Sequence, residues 1–246
     1  MKDFRADLHI HTLLSPCGDL GMSPENIVSE AVKKGLDIIG ITDHNSTFHC
    51  RLLKKTAASA GIFVMTGAEV TTKEEVHCLV FFENTDTLDI FQELVDRALP
   101  DIMNDPDIFG DQVVLDENEN IIFSEPRLLT NALSLSIDEI EKFVHEKGGL
   151  FIPAHIDRMK NSIYSQLGFL PANLNADALE ISRRTTYSEV LSAHSEISGF
   201  PVISNSDAHN LSQIGMATTI FTMEKAGFNE IKLALQKSGK RNFRIG

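Results

Sequence analysis

Seven apolar runs of strand length recur along this chain, and six of them deliver a histidine or a strand-end carboxylate. The runs are FRADLHI (4–10), LDIIGIT (36–42), IFVMTGAEVT (62–71), EVHCLVFF (75–82), LFIPAH (150–155), ALEIS (178–182) and PVISNSD (201–207). His9 and His11 close the first, Asp43 and His44 the second, Glu69 the third and His155 the fifth. His77 lies within the fourth, and Asp207 with His209 follows the seventh. Histidines two apart on a strand point to the same side, and burying two imidazoles without partners is costly. A fold that ends so many buried strands in this chemistry is building a site, and His/Asp/Glu sets of this kind suit zinc, manganese or iron.

Helical signals fall between the runs. SPENIVSEAVKKG (23–35) has Ser23 as N-cap, Pro24 at the first helical position and Gly35 as the stop. HCRLLKKTAASAG (49–61) also ends in glycine, and SIDEIEKFVHEKGG (136–149) opens with a capping box, Ser136 and Glu139. TTYSEVLSAHSEISG (185–199) is the helix before the last strand. Only TKE separates the third and fourth runs, which predicts a hairpin-like link there. Strands that are mostly buried and mostly followed by helices give an α/β fold, either a parallel or mixed barrel or a doubly wound sheet. Function then belongs at the C-terminal ends of the strands.

The rhythm breaks between about residues 83 and 135. DTLDIFQELVDRAL (86–99) is a plausible helix and DENEN (116–120) a turn, but the rest is mixed and acidic. Between Glu83 and Glu119 stand twelve acidic residues against one basic, Arg97, so this stretch holds −11 of the net charge of −13. The remainder is nearly neutral and would not repel a phosphate, and no basic run suggests extended nucleic-acid binding. We read 1–246 as one domain with a lid-like insertion at about 83–135. Cys17, Cys50 and Cys78 form no CxxC pair, no run is long enough to span a membrane, and the N-terminus has no signal-peptide pattern. A cytoplasmic protein is the expectation.

Other titratable groups read differently. His145 and His194 sit within predicted helices, away from strand ends, and His49 is the one doubtful case. Cys17 shares a loop with Asp19, and either could act as a ligand. Arg158 and Lys160 follow the fifth run, and Arg183 and Arg184 the sixth, where guanidinium forks suit phosphate oxygens. Arg158 and Arg183 follow their strands most closely and are the better candidates. No GxSxG elbow, Ser/His/Asp triad or Walker A sequence is present.

With these residues placed, the chain resembles the PHP (polymerase and histidinol phosphatase) family of metal-dependent phosphoesterases. DLHIH (7–11), ITDHN (41–45), GAEV (67–70), the histidine of EVHCL (His77), PAH (153–155) and SDAH (206–209) run in the family's order. The resemblance implies a distorted seven-stranded, TIM-like β/α barrel and a cluster of two to three divalent ions, manganese, zinc or iron. It implies that His9, His11, Glu69 and Asp207 hold the first ion and that Glu69 bridges to a second, completed by His77 and His155. The third falls to Asp19, His44 and His209, where HTLLSPCGDLGMSP (11–24) looks like the family's first loop with three residues inserted after Ser15. Asp43 is implied to orient a neighbouring histidine, and His44 or His209 to pass a proton to the leaving group.

The expected activity is hydrolysis of a small phosphorylated metabolite or nucleotide by metal-activated water. An amidohydrolase-type metallohydrolase is the alternative, since those also begin with HxH. They typically use a bridging lysine where this chain has Glu69 and lack the Asp207–His209 pair. A non-catalytic, metal-stabilised binding module is the third reading.

Overall fold

The computed structural model describes residues 1–246. Strands β1 (Lys2–Ile10), β2 (Ile38–Ile41) and β3 (Phe63–Thr71) lie parallel, with helices α1 (Pro24–Lys33) and α2 (Cys50–Ala58) in the crossovers. Ser23 caps α1, its side chain accepting from Asn26 N–H as the sequence predicts. β4 (His77–Phe82) turns back antiparallel to β3 and pairs, again antiparallel, with β7 (Leu150–Pro153). The TKE link is thus a hairpin, and it reverses β4. His77 is the first residue of β4, so the reversal brings it to the rim where the parallel strands end.

With two C-terminal strands, β10 (Thr219–Met223) and β11 (Asn242–Ile245), the ladder runs β11-β10-β1-β2-β3-β4-β7 as a curled, half-barrel sheet of seven strands. A separate parallel pair, β8 (Leu179–Ile181) and β9 (Val202–Ser204), fills the gap between β7 and β1. Single bonds join it on both sides: Asp177 N–H to Phe151 C=O at 2.9 Å and Ile156 N–H to Glu180 C=O at 2.8 Å on one, His11 N–H to Ala208 C=O at 3.0 Å on the other. The PHP-type barrel is therefore closed by scattered bonds and not by a regular ladder.

Strand alternation separates two cores. Inward-facing Leu8, Ile38, Met65, Leu79, Phe81, Leu150, Ile152 and Ile203 form one, while Ile39, Val64, Val80, Phe82, Phe151 and Leu179 pack outward against helices. β1 changes phase on the way. Phe4, Ala6 and Leu8 face inward, yet Ile10 packs outward, because the register against β2 slips between Asp7 and Ile10. This bulge re-aims the strand so that His9 and His11 enter the barrel mouth. Gly40 permits it: a Cβ there would lie 2.3 Å from Leu8 C=O.

The remaining elements surround this frame. α5 (Ile137–Glu146) has the capping box expected of Ser136 and Glu139. The predicted helix at 185–199 divides into α7 (Tyr187–Ala193) and a 3-10 turn at Ser195–Gly199, separated by His194 at φ −139°. A short helix α6 (Ile163–Leu167) follows β7. The stretch after residue 209, for which the sequence suggested no element, supplies β10 (Thr219–Met223), α8 (Phe228–Leu235) and β11 (Asn242–Ile245). β10 pairs with the first half of β1, and Phe228, Ile231 and Leu235 of α8 join the inner core, plugging the end of the barrel away from the histidines.

The acidic segment is partly ordered against the domain. α3 (Thr85–Ala98) buries Leu88, Phe91 and Val95, and Phe91 packs on Phe82 and Phe143. After a single turn, α4 (Pro106–Phe109), comes a hairpin, β5 (Val113–Leu115) buried and β6 (Ile121–Ser124) exposed. Asn45 donates from its side chain to Leu129 and Asn131 carbonyls, and Gln92 accepts from Thr47, so the segment is fastened to the loop after β2.

Candidate metal centre

The rim of the barrel gathers the strand-end residues into one buried cluster. Three overlapping groups have donor atoms all within 4.8 Å of one another: His9, His11, Glu69 and Asp207; His44, Glu69 and His77; and His11, His44 and His209. Glu69 belongs to two groups, and its Oε1 also lies 3.0 Å from His77 Nδ1 and 3.1 Å from His155 Nε2. His9 Nε2 and His11 Nε2 are 3.2 Å apart and both reach Asp207 Oδ1 at 3.3 Å. His155 and Asp207 stand at positive φ, 32° and 51°, in turns that swing them inward from β7 and β9. Such backbone strain in residues other than glycine collects at functional sites.

The donor set fits divalent cations. Both carboxylate oxygens of Asp207, His44 Nδ1 and His155 Nδ1 are buried without a properly aligned hydrogen bond, although His9, His11 and Arg158 nitrogens come close to Asp207 and Glu69 Oε2 comes close to His44. Buried polar atoms normally find partners, and a cation would satisfy these. Burial alone would raise Glu69 and Asp207, but the surrounding imidazoles hold both well below the usual carboxylate range. Burial disfavours protonated His9, yet Glu180, Asp207 and Glu69 together hold its pKa well above the ordinary value. His11 is likewise raised to about 9, against burial, by Asp207 and Glu69. Burial and the neighbouring imidazoles push His44 well below, and take His209 down to about 4.

Asp19 is the expected residue that the structure leaves out. It is exposed, and its Oδ1 accepts from Gly21 N–H at 2.7 Å in its own turn, so the carboxylate serves the loop and joins none of the three groups. Cys17 is at the loop surface with protein on most sides. Removal from water and the charges of Glu69 and Asp207 push its thiol up to about 12.

A cleft of about 740 Å³ opens beside His77 and His155. Arg158, Lys160 and Arg184 line it with Asp157, Ser182 and Thr185, and Met159 is its only apolar wall. Arg158 Nη2 reaches Asp207 Oδ2 at 2.5 Å. Arg183, expected here, faces away: its guanidinium contacts Met216 Sδ at 3.3 Å, and Arg184 takes the place. Adjacent side chains after a strand diverge, so sequence proximity to β8 could not separate the two.

Glu180 was missed. It sits in the middle of ALEIS, buried, with Oε2 3.0 Å from His9 Nδ1 and 2.9 Å from His155 N–H, and Oε1 2.8 Å from Asn205 Nδ2. The available signal was a glutamate on the inward phase of an apolar strand. His49 is fully buried and bonded at both ring nitrogens. Of the two histidines set aside, His145 bonds Asp177 and His194 stacks on Tyr164.

The PHP-domain family model matches residues 7–148, more than half of the chain. The chain belongs to the PHP family. A PHP-associated region matches at residues 195–238. Among curated relatives, the uncharacterized protein YqxK of Bacillus subtilis (strain 168) is 28% identical over 98% of this PHP chain, which spans 64% of YqxK's length. The lesion-specific endonuclease EndoQ of Pyrococcus furiosus superposes with a TM-score of 0.75 at 24% identity, covering 98% of this chain and 58% of that one. Endonuclease Q bound to a 27-mer duplex with an abasic lesion at the active site gives 0.73 at 22% identity, with the same coverage. A putative metal-dependent phosphoesterase of Bifidobacterium adolescentis gives 0.60 at 19%, covering 83% of this chain and 87% of that one. These neighbours share the PHP-type fold, and no helix of the chain is long and apolar enough to cross a membrane.

Proposed function

We propose that this PHP protein is a metal-dependent phosphoesterase, with His9, His11, Glu69, Asp207, His77, His155, His44 and His209 as ligands to two or three divalent ions. The observation that carries the reading is the sharing of Glu69 and His11 between donor groups beside a cleft bearing three cations. Divalent ions in such places supply Lewis acidity and a water that ionises near neutral pH. The chain's own residues do the rest. Glu69, held ionised by four imidazoles, keeps adjacent sites together. Arg158 and Arg184 orient phosphate oxygens by charge-assisted bonds. His209, 26% exposed at the mouth, donates Nδ1–H to the Asp207 carbonyl at 3.0 Å and so turns Nε2 toward the ion it would hold, which leaves it no nitrogen for the proton transfer expected of it.

The substrate in this reading is a small phosphorylated metabolite or nucleotide, which the polar cleft would take whole. A second reading has specific support. The fold superposes on EndoQ, one structure of which holds DNA, so a nucleic-acid phosphodiester stands beside the small substrate as a reading to be tested. The net negative charge does not decide this, because it resides in the inserted segment.

Elemental analysis of the purified protein, followed by hydrolysis of p-nitrophenyl phosphate, bis-p-nitrophenyl phosphate and a labelled duplex with one abasic site, tests both. Two to three ions per chain and metal-dependent release from the aryl esters support the first reading. Nicking of the duplex with silent aryl esters supports the second. No metal after reconstitution would sink both.

A further inference from the structure

His49 stands between the acidic insertion and the metal centre, and every proton around it can be assigned. Leu115 of β5 donates its backbone N–H to His49 Nε2 at 3.0 Å, and a backbone amide can only donate. His49 Nδ1 lies 2.7 Å from Thr12 Oγ1, whose own hydrogen goes to Asp43 Oδ2 at 2.8 Å. The ring must therefore be the Nδ1–H tautomer, donating to Thr12. Burial, partly opposed by Asp43, lowers its pKa and keeps it neutral.

The chain continues without a break. Asp43 Oδ1 accepts Thr12 N–H at 2.7 Å and Ser15 Oγ–H at 2.8 Å. Ser15 Oγ, having given its hydrogen to Asp43, accepts from His44 N–H at 3.1 Å and from His11 Nδ1–H at 3.0 Å. All participants are buried. With Nδ1 carrying its proton toward Ser15, His11 turns Nε2 to Glu69 and Asp207. Removing the hydrogen at any link leaves a buried acceptor or donor unpaired, which is costly in a low-dielectric interior.

We propose that His49 is a positioning residue that couples β5 of the insertion, through Thr12, Asp43 and Ser15, to the orientation of His11 in the metal centre. The inserted segment is then a buttress of the site as well as a cover. The inference rests on the metal reading above, and its test separates the two.

Asparagine at 49 places an amide donor where Nδ1 was and abandons Leu115; glutamine places an oxygen where Nε2 was and abandons Thr12. Affinity for Mn²⁺, by competition with a fluorescent chelator, should fall about tenfold in His49→Gln, which breaks the chain at Thr12, and by a smaller factor of about threefold in His49→Asn, which keeps Thr12 but loses the anchor on β5. Wild-type affinity in His49→Asn would remove β5 from the linkage. Protection of the Leu115 amide from hydrogen exchange should show the reverse order. Melting temperatures measured without metal remove any general loss of stability from the comparison. Equal affinities in the two variants, or losses that simply follow their melting temperatures, would overturn the proposal. So would an Nε2–H tautomer for His49 in ¹⁵N spectra of the metal-free protein. A wild type that takes up no Mn²⁺ defeats the phosphoesterase reading instead, and the tautomer and the Leu115 exchange then decide the linkage alone.

Discussion

His9 and Glu180 meet beneath the cluster, with the ring Nδ1 3.0 Å from the carboxylate Oε2 and both side chains sealed from water. A carboxylate on the far nitrogen of a ligating histidine fixes its tautomer and raises its basicity. Glu180→Gln keeps the shape but removes the charge that favours a cation-facing Nε2. Metal affinity should drop about 10- to 100-fold, read by chelator competition. An unchanged affinity would mean that Glu180 serves only the bonds to His155 N–H and Asn205.

Metal-free stability should peak near neutrality. His11 has a pKa of about 9 in the folded chain against an ordinary 6.5, so it stabilises the fold below pH 6.5 and that contribution is lost as pH rises through about 9. His209 acts oppositely: held at about 4, it stays neutral while the unfolded chain takes up its proton, so stability falls as pH drops from 6.5 toward 4. Glu69 and Asp207, both depressed, add to the acid-side loss. Calorimetry from pH 4 to 9.5 in excess chelator should give a domed melting curve. A steady rise with pH across the range would contradict the elevated His11.

Metal uptake should release protons, because ions compete with protons for His9 and His11. Titration calorimetry at pH 7 in two buffers of different ionisation enthalpy should give different apparent heats, and affinity should climb between pH 6 and 9. Identical heats in both buffers would show that neither imidazole is protonated in the free protein.

The arginines after β8 should separate by function. Arg184→Ala should raise KM for a phosphoester about 10- to 100-fold, the worth of a charge-assisted bond, whereas Arg183→Ala should leave it unchanged because that side chain lies against Met216. Equal effects would place the phosphate elsewhere.

Gly40→Ala should cost about 1–3 kcal/mol or more. The added Cβ would collide with Leu8 C=O at 2.3 Å, on the bulge that turns His9 and His11 inward. Reduced metal affinity should accompany the lower melting temperature. A variant as stable as wild type would show that the bulge can relax.

Much of this was legible in residue order. Apolar runs found β1 to β4 and β7 to β9 to within a few residues, and caps such as Ser23 and Ser136 found their helices. These signals are local, set by backbone geometry and neighbouring side chains. The C-terminal β10, α8 and β11 escaped because their apolar residues are spent on partners far away in sequence, β1 and the inner core. Asp19 misled for a related reason: two residues from Gly21, its carboxylate had a backbone amide within reach and no need of a distant ion.

By itself, the sequence determined which strand-end imidazoles and carboxylates reach the barrel mouth, because strand ends follow from short-range chemistry. Only the tertiary structure decided which of them face one another. The bulge at β1 aims the first two histidines, the reversal of β4 delivers His77 to the same rim, and Glu180 and His49 acquire partners from 25 to 171 positions away. Those pairings depend on barrel closure and on where the acidic segment settles, and both are products of long-range packing.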